Sequence, residues 1–200
     1  MPFDPQTLLA VDVETSGPDP FRHQLLAAAF VPFDESKPGL EVFVRPPHVE
    51  WTDVARRYFG GYQHQWEQAA KPPSDSYARM ASYLESFGVE MTLVGHNVGF
   101  DYSFLKQLVA TTGHTRLPMV SHRSVDTHSL LKLLSWMGRI PEAACSSDGA
   151  LAHFGVVVPV PERHTALGDA RATVKLARAI YEEFGGLLDE QFSKTALGKA

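Results

Sequence analysis

The chain has 200 residues, 44% hydrophobic and 20% charged, with a formal net charge of −5 and a single cysteine, Cys145. This size and balance suit one globular domain with its own core, and no apolar run approaches the ~20 residues that a membrane-spanning helix needs. One thiol builds neither a disulfide framework nor a thiolate zinc site, no basic-then-apolar leader opens the chain, and the acidic balance argues against holding duplex DNA by charge alone, so the expected setting is a reducing cytoplasm.

The first predicted element is a buried strand over residues 8–14 (LLAVDVE), ending in acids. Residues 24–33 and 40–45 read as two more strands, with Gly17-Pro18 and Lys37-Pro38-Gly39 in the turns between. Three strands joined by short links predict an antiparallel meander. Residues 51–70 are aromatic-rich and helical, broken at Gly60-Gly61 and stopped by Pro72-Pro73. Ser74 or Asp75 is placed to cap the next helix, which runs to Phe87. Residues 91–96 (MTLVGH) form a short apolar strand. Residues 100–110 are helical, with Phe100, Phe104, Leu105 and Leu108 on one face. A brief strand over 124–127 follows, then short helices over 130–137 and 150–154. The clearest helix covers 169–184, where Ala170, Val174, Ala177, Ile180 and Tyr181 recur at helical spacing, and Gly185-Gly186 should end it. The order predicts an α/β domain over residues 1–186, with a tail or frayed helix over 187–200. Its mixed sheet, antiparallel in the first three strands and then parallel, should carry helices on both faces and chemistry at its strand ends.

Four places put acid or imidazole where a core would not want them. In Asp12-Val13-Glu14, period-2 alternation puts both carboxylates on one face of a strand, where they repel unless a cation lies between them. In Gly95-His96-Asn97-Val98-Gly99-Phe100-Asp101, a strand turns into a helix that carries Asp101 in its first turn; the helix dipole alone would favour an acid there. In His164-Thr165-Ala166-Leu167-Gly168-Asp169, a loop histidine precedes an acid on the first turn of the last long helix. Asp126-Thr127 ends a short strand, and Thr127 also fits a helix N-cap.

The run DVETSG, then GHNxxFD, then HxxxxD resembles the DEDDh family of 3′–5′ exonucleases, which includes ribonuclease T and the proofreading subunit of the bacterial replicative polymerase. The resemblance covers residues 8–184 and implies a ribonuclease H-like fold. It makes Asp12, Glu14, Asp101 and Asp169 the metal-binding acids and His164 the general base, with Asp126-Thr127 near the site but not a ligand. It implies two divalent cations, Mg2+ or Mn2+, ~3.5–4 Å apart. Imidazole suits the base because it exchanges protons near neutral pH. Expected products are nucleoside 5′-monophosphates from the 3′ end of single-stranded DNA, RNA or a 3′ overhang.

Substrate contacts are expected from Val13, Thr15, Ser16 and Gly17 at the first strand end, from His96, Asn97 and Phe100 at the second motif, and from Trp66. The family's frequent His-Gly-Ile sequence is absent after the third strand. In its place stand Trp51, Tyr58, Phe59, Tyr62 and Trp66, interleaved with Arg56, Arg57 and Lys71. Such a segment either stacks the bases of a single strand or forms the core face of a helical hairpin. A stand-alone monomer or homodimer is expected, with a polymerase or another repair or mobile-element protein as the candidate partner. The rival readings are a catalytically silent nucleic-acid-binding or polymerase-associated module of the same fold, and a phosphatase or nucleotidase using the same acids.

Overall fold

Strand β1, Leu8–Thr15, carries a division of labour between its two faces. Leu9, Val11 and Val13 point one way and join a core that includes Phe30, Met80, Leu84, Phe104 and Leu105. Ala10 points the other way, against Val174 and Ala177. Asp12 and Glu14 share its parity, so the same alternation that buries the valines delivers both acids to the opposite face. The computed structural model describes residues 4–197, with side chains described up to residue 185.

Strand β2, Leu25–Pro32, pairs antiparallel with β1, and β3, Leu40–Phe43, pairs antiparallel with β2. On the other side, β4, Met91–Gly95, runs parallel to β1, and β5, Val120–Asp126, runs parallel to β4. The sheet order is β3-β2-β1-β4-β5, the expected mixed sheet. Strand β5 is longer than the predicted 124–127. His122, Arg123 and Ser124 are exposed on this edge strand, so its pairing leaves no apolar alternation to read.

Helices α1, Asp53–Phe59, and α2, Gln63–Ala69, separate at Gly60-Gly61 as predicted. Helix α3, Pro73–Glu85, starts with Pro72 at its N-cap and Pro73 at its first position, displacing the predicted caps Ser74 and Asp75. The pyrrolidine ring already has the helical φ and lacks the N–H that would otherwise be orphaned. Helix α4, Val98–Thr111, covers the valine face of β1 beside α3. Helices α5, Thr127–Trp136, and α6, Ser147–His153, pack in a second core with Ala172, Leu176 and Ile180.

Helix α7, Ala166–Leu197, lies across the other face of the sheet. Its Ala166 and Ala170 meet Ala27 and Ala29 of β2, which pair with Glu14 and Asp12 of β1. Four small side chains let the helix backbone come close to the sheet at the level of the acids. The glycines expected to end this helix do not. Gly185 keeps a negative φ, and two glycines cost only about 1 kcal/mol each within a run of strong helix formers.

Candidate active site

Three of the predicted acids converge. One carboxylate oxygen each from Asp12, Glu14 and Asp169 lies within 4.8 Å of the others. Asp12 and Glu14 come from β1; Asp169 comes from the first turn of α7. Asp101, only 5% exposed, stands beside them in the first turn of α4, and its Oδ1 accepts a bond from the Val13 N–H at 3.1 Å. That bond ties the second motif to the backbone of the first.

Burial and mutual repulsion work against ionisation here. Burial, then the charges of Asp101, Glu14 and Asp169, hold the Asp12 carboxyl well above the usual range. Burial and Asp169 push Glu14 up to about 8. Burial pushes Asp101 up to about 8, against the backbone bonds that pull it down. Burial raises Asp169 as well, opposed by the Arg163 guanidinium. Asp169 Oδ1 is buried without a well-formed hydrogen bond among the described residues, although the His164 backbone N–H lies close enough to the carboxylate to favour its charged form. An all-oxygen donor set, an orphaned carboxylate oxygen and like charges held together fit a hard divalent cation such as Mg2+ or Mn2+.

The turn into α7 places the histidine. His164 takes a left-handed backbone, φ 62°, and Thr165 Oγ1 accepts the Gly168 N–H at 3.1 Å to cap the helix. A Cβ on Gly168 would stand 2.0 Å from the Glu162 carbonyl oxygen, so the turn closes this tightly only around glycine. The His164 ring packs against Tyr58, with centroids 4.9 Å apart. Both border a cleft of about 580 Å³ whose floor carries Asp12, Glu14 and Asp169. Its far wall is α1 with its N-cap Thr52, contributing also Val54, Ala55 and Tyr58.

Among the expected substrate contacts, Val13, Thr15, Gly17 and Phe100 line this cleft. Ser16, His96, Asn97 and Trp66 do not. Ser16 is fully buried, and its Oγ accepts the Gln24 N–H at 2.9 Å, which fastens the end of β1. His96 Nδ1 lies 3.1 Å from Thr127 Oγ1. Asn97, at φ 66°, donates its backbone N–H to Asp126 Oδ1 at 2.7 Å. Asp126 is also the N-cap of α5, the place the sequence offered to Thr127. These groups brace the β4–α4 turn that aims Asp101. Trp66 donates its indole N–H to Val44 O at 2.7 Å and packs with Phe59 in the core.

Two residues with clear positions were not singled out by the sequence. Tyr58, 57% exposed, stood among aromatics that differ little on paper; Phe59 and Tyr62 are buried. Arg163 carried no signal except its place before His164, yet its Nη1 donates to Asp169 Oδ2 at 2.6 Å.

Comparison with known proteins agrees with the motifs. The RNase T exonuclease family model matches residues 9–177. The chain is 28% identical over 109 residues to the 3′–5′ DNA exonuclease Cap18 of Escherichia coli, covering 52% of this chain and 58% of that protein. Its fold is similar to exonuclease I from Methylocaldum szegediense (TM-score 0.71, 17% identity, 93% of this chain and 42% of that one). It is also similar to E. coli exonuclease I in complex with a dT13 oligonucleotide (TM-score 0.74, 16% identity, 92% and 43%). The chain thus spans less than two thirds of the length of these relatives.

Proposed function

The chain belongs to the RNase T exonuclease family, and on that premise we propose that it is a metal-dependent 3′–5′ exonuclease acting on single-stranded DNA. The observation that carries the proposal is the convergence of Asp12, Glu14 and Asp169 within 4.8 Å on the floor of an open cleft that His164 borders. The DNA reading draws on two relatives, one named a DNA exonuclease and one bound to a DNA oligonucleotide.

Asp12, Glu14 and Asp169, with Asp101 beside them, would hold two divalent cations, Mg2+ or Mn2+. Bound there, such ions neutralise the phosphate and acidify water. The chain's own residues do the rest. His164 receives the proton of the attacking water on an imidazole nitrogen while the bond from phosphorus to the 3′ oxygen of the penultimate sugar breaks. The water oxygen ends on phosphorus, one nucleoside 5′-monophosphate leaves, and the freed 3′ oxygen takes a proton from solvent, so the shortened strand keeps a 3′-hydroxyl. Val13, Thr15 and Gly17 offer backbone to the terminal nucleotide, and Val54, Tyr58 and Phe100 offer apolar surface to its base. With no cation, the floor has nothing to neutralise the charge of a polyanion.

The test is a gel time course on 5′-labelled single-stranded DNA and RNA of matched sequence, with Mg2+, Mn2+ or chelator. We expect a ladder that shortens from the 3′ end, faster on DNA, dependent on metal and lost in Asp12→Ala. No shortening of either strand with either metal would favour the catalytically silent module.

A further inference from the structure

Arg163 lies between two acids. Its Nη1 donates to Asp169 Oδ2 at 2.6 Å, and its Nη2 donates to Asp148 Oδ1, also at 2.6 Å. Nη2 also lies 3.5 Å from Ser147 Oγ. Asp148 comes from α6, so the guanidinium joins that helix to the first turn of α7. The side chains of Arg163 and Asp169 are 21% and 17% exposed, while that of Asp148 is 82% exposed.

We propose that Arg163 is a positioning residue for the metal site: it holds Asp169 Oδ2 and thereby leaves Oδ1 as the oxygen that meets the cation. The orphaned state of Oδ1 beside a firmly held Oδ2 is the observation behind this. A carboxylate held at one oxygen is restrained in its rotation, and a group that orients a ligand in this way tunes the affinity of the site. The arrangement needs a planar fork, because one guanidinium must meet two carboxylates at once; an ammonium on a flexible stem has no such geometry. Asp148 has a second part. A bare guanidinium next to Asp169 would repel a cation, but paired with Asp148 it adds no net charge, and the charge of Asp169 stays available. Arg163 also adjoins His164, so pinning it fixes the entry to the left-handed turn.

This inference rests on the metal-dependent reading above, and the experiment separates the two. Mn2+ binding to the full chain is measured by calorimetry for wild type, Asp12→Ala, Arg163→Gln, Arg163→Lys, Asp148→Asn and the Arg163→Gln/Asp148→Asn pair, with a thermal melt on each. Arg163→Gln should bind Mn2+ about 10–100-fold more weakly than wild type. Arg163→Lys should not restore it. Asp148→Asn should cost a smaller factor, which vanishes when Arg163 is already Gln. Mn2+ affinity in Arg163→Gln equal to or above that of wild type, or full recovery in Arg163→Lys, overturns the positioning role. If the Arg163 variants fail to fold, the exposed Asp148→Asn decides, and wild-type affinity there overturns it as well. Wild type that binds no Mn2+, or Asp12→Ala that binds as wild type does, overturns the metal-dependent reading and this inference together.

Discussion

The two walls of the cleft are built on opposite principles. The acid floor is made of side chains on β1 and the first turn of α7, two elements packed through the middle of the sheet by Ala27, Ala29, Ala166 and Ala170. The facing wall is α1, a seven-residue helix reached by loops, whose Val54 and Tyr58 are 58% and 57% exposed. The floor holds charges that oppose one another in a partly buried place, a cost kept only where it serves chemistry. The α1 wall needs nothing beyond apolar surface in the right position. Position is therefore exacting on the floor and permissive on the wall, and substitutions should separate the two.

The largest expected effect falls on the floor side. His164→Ala should lower kcat by about 10²–10⁴-fold while Mn2+ binding stays, because the acids remain in place. Single-turnover kinetics with a calorimetric check on the metal would show this, and an undiminished rate would remove His164 from the chemistry.

A second effect follows from the raised carboxyls. In metal-free protein, Glu14 and Asp101 keep their protons up to about pH 8 when folded, whereas the unfolded chain releases them near pH 4. A raised acid contributes stability that is fullest at the low end and is lost as pH rises through the folded value. The melting temperature of chelated protein should therefore fall between about pH 5 and pH 8. Saturating Mg2+ should flatten the slope, since the cation takes the place of the protons. A chelated protein whose Tm stays level or climbs over that window would contradict the electrostatic account.

The smallest effect belongs to the α1 wall. Tyr58→Ala removes an exposed ring that packs at a tilt of 50° against His164. Base stacking of this kind is worth about 1–3 kcal/mol, so KM for a single strand should rise about 5–150-fold. kcat should hold and Tm should stay where it is. A fall in kcat with KM unchanged would mean that Tyr58 serves His164 and not the nucleotide.

The same contrast explains what could be read in advance. That Asp12 and Glu14 share one face was legible because a strand allows one parity only, and Val11 and Val13 fix which face is core; that they form a site with Asp101, Asp169 and His164 was implied only by the resemblance of the three motifs taken together. The place of Asp169 on the first turn of a helix was legible because the apolar positions after it keep helical spacing; its part in the site came from the motif resemblance. Trp51, Tyr58, Phe59, Tyr62 and Trp66 all satisfied the same pattern, and only packing told the buried rings from the one that faces the cleft. Arg163 was opaque for another reason. Its meaning depends on Asp148, which the fold brings from a different helix. The length of β5 and the continuation of α7 past Gly185 were missed because edge pairing and helix propagation override weak local signals.

The most direct measurement is an anomalous-scattering map from crystals of the protein soaked in Mn2+. The account predicts a manganese peak among the carboxylates of Asp12, Glu14 and Asp169, with Asp169 Oδ1 as a ligand and Arg163 still on Oδ2. A well-diffracting soaked crystal with no peak there, or with its strongest peak away from these three acids, would contradict it.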